Sequence, residues 1–467
     1  MKYLLMLFEP EVDWTQVPRE ELDSALRDHE KFVQYLRERG IGDRQAVSDQ
    51  RGHGGAPDPR VQLTGVEVAV EEAGRRHWAA VLATVVSLVR DLDTAEDAVQ
   101  DAFAAALPAW RCDGVPDNPA AWLTTTARRK ALDRLRRDQT LARKLPLLIV
   151  PGGPDEDAAA GASPLRLIFT CCHPALAMPA RVALTLRLVC GLAVPDIARL
   201  FLVPEATMAA RVSRAKQKIR AAGIPYRVPA GPELTERLPA VLAVLYLLFT
   251  EGHTAGRGSR LSRRELAVRA VELARTLAGL MPDESEVAGL LALLCLAEAR
   301  QPARRGADGG LILLADQDRS RWDRELIDEG LPLVARALRT GRPGPYALQA
   351  AIAAVHAESP GYPDTDWPQI LALYDTLLAV HPSPVTRLGR AMALAMVAGP
   401  QAGLAEIDRL AGEPSLSRSH LLPAARAELL SRAGGRDAAA ASAFRQAAAM
   451  TGNDAERDFL LGRARDG

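Results

Sequence analysis

Aromatic side chains make up only 4% of the 467 residues, too few for a β-sandwich or barrel, whose cores are built on aromatic and β-branched residues. Ala and Leu dominate the 48% hydrophobic content, so the expected fold is helix packed on helix, an all-α protein. Cysteine is equally sparse. Cys112, Cys171, Cys172, Cys190 and Cys295 are odd in number and lack paired spacing, which excludes a disulfide framework and fits a reducing compartment, by default the cytoplasm. No apolar run reaches the roughly eighteen residues of a membrane span. Met1 to Phe8 is apolar, but Glu9, Glu11 and Asp13 follow at once without a small-residue cleavage site, against a secretory signal. Net charge is also missing: 58 Lys+Arg balance 58 Asp+Glu, so any affinity for a polyanion must come from local segregation of charge.

At roughly 100–200 residues per domain, the length predicts several domains. Residues 43–60, with Gly52-His53-Gly54-Gly55-Ala56-Pro57, have too few apolar side chains to offset ordering entropy and read as a linker. Their glycines follow no strand and precede no Lys-Ser/Thr, which argues against a phosphate loop. Residues 146–164 read as a second, acidic linker, and a weaker break lies at Ile224 to Pro232. This divides the chain into 1–42, 61–145, 165–228 and 229–467. In the first piece, Lys2 to Phe8 predicts a strand, and Pro18-Arg19-Glu20-Glu21 opens a helix that stops at Gly40.

Charge is segregated sharply inside the second piece. Val61 to Asp117 carries a net −6, and Asn118 to Val150 a net +6 concentrated in Arg128-Arg129-Lys130, Arg134, Arg136 and Arg137. An acidic helix followed by a basic one offers one face to a basic partner and another to nucleic acid. In the third piece, Arg181 to Leu192 predicts a helix, Val194 to Phe201 a short second one, and Val203-Pro204-Glu205-Ala206-Thr207 a tight turn. A third helix then carries Arg211, Ser213, Arg214, Lys216, Lys218 and Arg220. Two short helices joined by a turn, with a net +7 over Arg181 to Arg227, form the helix-turn-helix pattern.

Three blocks, Ala95-Glu96-Asp97-Ala98-Val99-Gln100-Asp101-Ala102-Phe103, Ala121-Trp122-Leu123-Thr124-Thr125-Thr126-Ala127-Arg128 and Ala131-Leu132-Asp133-Arg134-Leu135-Arg136-Arg137, resemble region two of extracytoplasmic-function sigma factors. Val182 to Ile219 resembles region four of the same family, and the blocks stand in the family's order. Further motifs, Thr170-Cys171-Cys172-His173-Pro174, Tyr246-Leu247-Leu248-Phe249-Thr250-Glu251-Gly252, Asp316-Gln317-Asp318-Arg319-Ser320-Arg321-Trp322-Asp323 and Asp366-Trp367-Pro368-Gln369-Ile370, are similar to the subgroup with a long helical C-terminal extension. Members of that subgroup are associated with DGPF-type proteins. The first forty residues resemble the start of such a YCII-related (DGPF-type) ferredoxin-like protein, without its Asp-Gly-Pro-Phe motif or remaining strands, and read as a remnant.

The resemblance implies roles. Asp97, Gln100 and Asp101 would bind core RNA polymerase, at the β′ clamp, with the β flap a further contact of the factor. Trp122, Arg128, Arg129, Lys130, Arg134 and Arg137 would follow the minus-ten DNA, although a Trp at helical spacing is more often core. Arg129 stands where many family members have Asn, so the base read there is open. Glu205, Thr207 and Arg211 lie early enough in the recognition helix to reach base edges of the minus-thirty-five element. Ser213 belongs to the same DNA-binding set, and Arg214, Lys216 and Lys218 suit phosphates. Promoter DNA and polymerase are thus the implied partners, with a DGPF-type protein as a third. Phe103 and Trp110 are expected in the core.

Adjacent cysteines suit a tetrahedral metal site poorly, so Cys171-Cys172-His173 is not assigned a metal. No catalytic motif occurs, and neither catalytic residues nor cofactors are assigned. In the last piece, Arg390-Ala391 with Ala398-Gly399 and Arg426-Ala427 with Ala433-Gly434 recur about 35 residues apart, close to the ~34-residue tetratricopeptide period. The piece is expected to be a tetratricopeptide-like helical array that regulates the factor. Two alternatives stay open: a protein-interaction scaffold with a vestigial DNA-binding half, and an enzyme on the YCII-like portion with His29 as acid/base.

Overall fold

Helices follow the apolar periodicity along nearly the whole of the computed structural model, which describes residues 65–89, 91–142, 164–224, 232–306, 310–339, 343–434 and 437–466. The expected N-terminal strand and helix, His29 and both linker cores lie outside these residues. By contact the chain divides into two units. Among the described residues one takes in 65–194 and 206–238, the other 195–205 and 239–466.

The first unit begins with α1 (Gly65–Val89), α2 (Leu92–Asp113) and α3 (Pro119–Ala142), which pack on one another. The Asp91 side chain caps α2, its Oδ1 accepting from Thr94 N at 2.7 Å. Asn118 does the same for α3, accepting from Ala121 N at 3.0 Å just ahead of Pro119. Ala95, Ala98, Val99, Ala102 and Ala106 of α2 and Leu123, Ala127 and Ala131 of α3 are buried. Alanine at these spacings lets the helices approach closely while presenting one apolar stripe each. Trp110 is buried, as expected, edge-on to the half-buried Trp122 at 5.7 Å; Phe103 is half-buried against Trp78 at 5.8 Å. Further on come α4 (Pro164–Cys171), α5 (Met178–Leu188) and most of α7 (Glu205–Ala221). Cys171 and Cys172 are buried in this unit as thiols. Burial pushes the Cys172 thiol up to about 12, and its Sγ lies 3.6 Å from Thr185 Oγ1.

The second unit contains α6 (Val194–Leu200, from Pro195 onward) and the long C-terminal array. It also takes in α8 (Pro232–His253) from Pro239 onward, where every residue from Ala240 to Phe249 is buried; a helix stretch apolar all round belongs in the middle of a large domain. The array continues through β1 (Arg257–Gly258), α9 (Arg264–Leu280), α10 (Ser285–Glu298), α11 (Arg324–Leu338), α12 (Pro345–Glu358), α13 (Trp367–Val380), α14 (Pro384–Ala398) and α15 (Pro400–Arg409). It ends with α16 (Leu421–Ala433), α17 (Asp437–Met450), β2 (Gly452–Asn453) and α18 (Asp454–Asp466). Successive helices pack on their neighbours from α9 onward. The two recurring sequence units match here: α14 and α16 each end at a positive-φ glycine, Gly399 (φ 90°) and Gly434 (φ 68°). Arg390 pairs with Asp375 and Glu406, and Arg426 with Asp408. The two-residue parallel pair β1–β2 ties the end of the array back to the loop after α8, where Asn453 Nδ2 donates to the carbonyls of Ala255 and Arg260, each at 2.8 Å.

One carboxylate replaces a missing cap. Gly344 has no side chain to offer the start of α12, and Glu286 of α10 supplies one instead: its Oε2 accepts from Tyr346 N at 2.9 Å and its Oε1 from Ala347 N at 3.0 Å. Glu286→Ala strands both donors at a half-buried helix end and should cost about 1–3 kcal/mol. Chemical denaturation followed by circular dichroism checks this, and a loss below about 0.5 kcal/mol would mean that water serves the helix end as well.

Candidate nucleic-acid interface

The acids of α2 fall into two sets, because residues three and four apart share a helix face. Asp97 and Asp101, the first set, both meet Arg134 of α3, at 3.1 Å and 2.9 Å. The expected polymerase-binding acids and one expected minus-ten residue are therefore one cluster. Asp97 and Asp101 keep 60% and 45% of their side-chain surface exposed, so a basic partner surface reaches them without rearrangement of the core. Burial, with Glu96 and Asp93 close by, holds the Asp97 carboxyl above its ordinary value despite Arg134. Gln100 donates to Glu96 Oε1 at 3.3 Å.

The second set turns toward α5 and α7. Glu96 is only 4% exposed. Its Oε2 takes Lys216 Nζ of α7 at 2.6 Å, and its Oε1 takes Arg187 of α5 at 3.3 Å. Lys216 also reaches Asp93 at 3.1 Å, while Arg220 bonds Asp91 at 2.9 Å and pairs with Asp93. Burial would raise the Glu96 pKa, but Arg187 and Lys216 outweigh it and hold the carboxyl below its usual value; the same contacts hold the Lys216 ammonium above its own. A depressed carboxylate contributes stability above its unfolded pKa of 4.5 that is lost as pH falls through the folded value. The cluster is thus intact throughout the neutral range. Trp78 Nε1 donates to Leu188 O at 2.9 Å and joins α1 to the end of α5 alongside it.

The remaining basic residues differ in exposure. Arg128 and Arg129 of α3 are exposed, Lys130 half-buried, and the Arg137 side chain lies outside the described residues. On α7, Lys218 is exposed, Thr207, Ser213 and Arg214 are half-buried, and Arg211 is only 2% exposed. A guanine contact by Arg211 therefore requires the packing around it to open. Asp91, Asp93, Glu96 and Arg187 do not stand out as a set in the sequence. Their signs are visible there, but nothing in a linear pattern brings Glu96 and Lys216, 120 positions apart, into one ion cluster.

In the other unit, α6 ends in a Schellman turn: Val203 N bonds Ala198 O at 3.0 Å and Leu202 N bonds Arg199 O at 3.1 Å, with Leu202 at φ 54°. This short helix is held by the array. Arg199 pairs with Glu251, which is 1% exposed, and its guanidinium fills the space where a Cβ on Gly256 would stand. Arg263 lies 3.7 Å from both Asp196 and Glu251, and Arg257 bonds Glu205 at 2.8 Å. Glu205, an expected base-reading residue, is thus occupied by a cation of the array.

Residues 75–140 match Sigma-70 region 2, residues 166–219 match Sigma-70, region 4, and residues 237–338 match a family of unknown function, DUF6596. Uncharacterized protein R00370 of Rhizobium meliloti (strain 1021) is 41% identical over 380 residues, which cover 79% of this chain and 89% of that protein. No solved structure matches the chain. No helix among the described residues is long and apolar enough to cross a membrane. The chain belongs to the same family as the Rhizobium protein, and its region 2 followed by region 4 makes it a DNA-binding sigma factor for promoter-specific transcription.

Proposed function

We propose that this sigma factor binds core RNA polymerase through Asp97, Gln100 and Asp101, works in the cytoplasm, and has a closed resting state set by its own charges. In this reading Arg128, Arg129, Lys130, Arg134 and Arg137, bordered by Trp122, follow the minus-ten DNA. Thr207, Arg211, Ser213, Arg214, Lys216 and Lys218, with Glu205, meet the minus-thirty-five element. Residues 1–42 are read as the YCII-like remnant, and a DGPF-type protein as a further partner.

The observation that carries the resting state is the placing of Lys216 and Arg220 on Asp91, Asp93 and Glu96. Carboxylates there hold cations that phosphates would otherwise hold, so promoter binding has to exchange one anion for another. The α6 contacts support a second control: Arg199, Asp196 and Glu205 are tied to residues of the C-terminal array, so a change in that array reaches the helix-turn-helix directly.

Glu96→Gln should release Lys216 and raise affinity for minus-thirty-five DNA about fivefold or more; anisotropy with labelled duplex measures it, and equal affinity in the two proteins would defeat the closed state. Asp97→Arg combined with Asp101→Arg should abolish association with core polymerase at unchanged helical content, through like-charge repulsion. Arg134→Ala is the control, since it breaks the same pairs without reversing a charge and should bind core normally. Control by the array is tested with Arg199→Ala, which should change in-vitro transcript yield about fivefold or more in either direction. The same yield as the parent under all conditions tried would leave the array a structural domain.

A further inference from the structure

The array holds a cavity of about 240 Å³ that no role in polymerase or promoter binding uses. It is larger than the roughly 150 Å³ apolar void known to take up benzene. Rings and thioethers supply much of its lining, among them Trp367, Tyr374, Met392, Met396 and Phe444. Such groups accept a flat apolar body by stacking and dispersion.

The charged residues of the lining are engaged within the chain. Arg304 donates from Nη1 to the His253 carbonyl at 2.5 Å and from Nη2 to Thr254 Oγ1 at 3.0 Å, and Arg300 lies over the Trp322 ring. Glu428 takes Arg432 at 2.9 Å and Arg463 at 3.0 Å, while Glu456 accepts from Thr451 Oγ1 at 2.8 Å and lies 3.4 Å from His420. His356 is neutral, because burial brings its imidazole down to about 2. An ion entering here would give up its water without gaining a free counter-charge, so the lining favours an uncharged guest.

One polar contact of the lining is poorly matched. The Tyr362 hydroxyl donates to Met396 Sδ at 3.7 Å, and Arg432 Nη1 donates to the same sulfur at 2.8 Å. A thioether is a weak acceptor, so two donors converge where an oxygen would serve both better. Arg432 also stands within hydrogen-bonding reach of the Tyr362 oxygen, which leaves the hydroxyl its own proton to give. Tyr362 is half-buried and its ring meets Trp367 edge-on at 5.3 Å, so this donor is held beside the aromatic part of the lining.

We propose that the cavity binds a small uncharged aryl ketone, its ring in the apolar lining and its carbonyl oxygen accepting from Tyr362 in place of Met396. This pocket is independent of how the chain contacts polymerase or DNA, so its test reads binding alone.

Acetophenone is the probe, with ethylbenzene as the counterpart that lacks the acceptor and benzoate and benzylamine as the charged ones, titrated by calorimetry into the full chain. Acetophenone should bind at one site per chain, about fivefold tighter than ethylbenzene and at least about tenfold tighter than either ion. Tyr362→Phe keeps a ring beside Trp367 and should bring acetophenone down to the affinity of ethylbenzene, whose own binding stays unchanged. Ala424→Phe, which fills the cavity from α16, should abolish binding; Met392→Trp does the same from α14 should the first variant fail to fold. Absence of acetophenone binding at millimolar concentration, equal affinity for either ion, an unchanged preference for the ketone in Tyr362→Phe, or undiminished binding by both filled variants would each overturn the proposal.

Discussion

A buried carboxylate is the point where three helices of the first unit, α2, α5 and α7, bring their charges together. Glu96 sits almost entirely out of water on a helix of small apolar residues, where an uncompensated charge costs several kcal/mol. It stays ionised because Lys216 and Arg187 reach it from two other helices. Removing either cation leaves the buried carboxylate only half compensated, so the arrangement specifies position strongly whatever its net contribution to stability.

In the proposed closed state the same electrostatics would make the factor a switch. A surface selected for phosphate is cationic and strongly hydrated, and the simplest way to keep it off nonspecific DNA is to offer it carboxylates from within the chain. Asp91, Asp93 and Glu96 occupy Lys216 and Arg220 in this way, and Arg257 of the array occupies Glu205. Exposed members of these clusters, such as Arg220, contribute little individually. In the proposed closed state their effect lies in competition with DNA, which depends on salt.

The array contributes a different kind of chemistry. Its packing relies on glycines at close approaches, as at Gly289, where a Cβ would come within 2.6 Å of the Ala347 backbone nitrogen. Its loops carry the motifs around Gln317 and Trp367. Asp366 caps α13 through Gln369 N at 2.9 Å and Asp323 caps α11 through Leu326 N at 3.2 Å. These caps start the two helices beside Trp322 and Trp367.

Much of this protein was legible in the order of its residues. The scarcity of aromatics and the 3.6-residue periodicity dictated an all-α fold, and the caps and glycines marked helix ends such as Gly399 and Gly434, because these depend on interactions within a few residues. The sign reversal between α2 and α3 and the basic α7 could be read as local segregation of charge. Tertiary structure alone decided which charges remain available. Arg211 and Lys216 read alike in sequence as cations of one helix, yet Arg211 is buried and Lys216 is bound to a carboxylate 120 residues away. Which buried polar atoms find no hydrogen-bond partner among the described residues, such as Nδ1 of His356 and Oε1 of Gln317, was likewise beyond reach. Periodicity reports which face of a helix is apolar, whereas pairing across distant helices depends on how those faces are finally brought together.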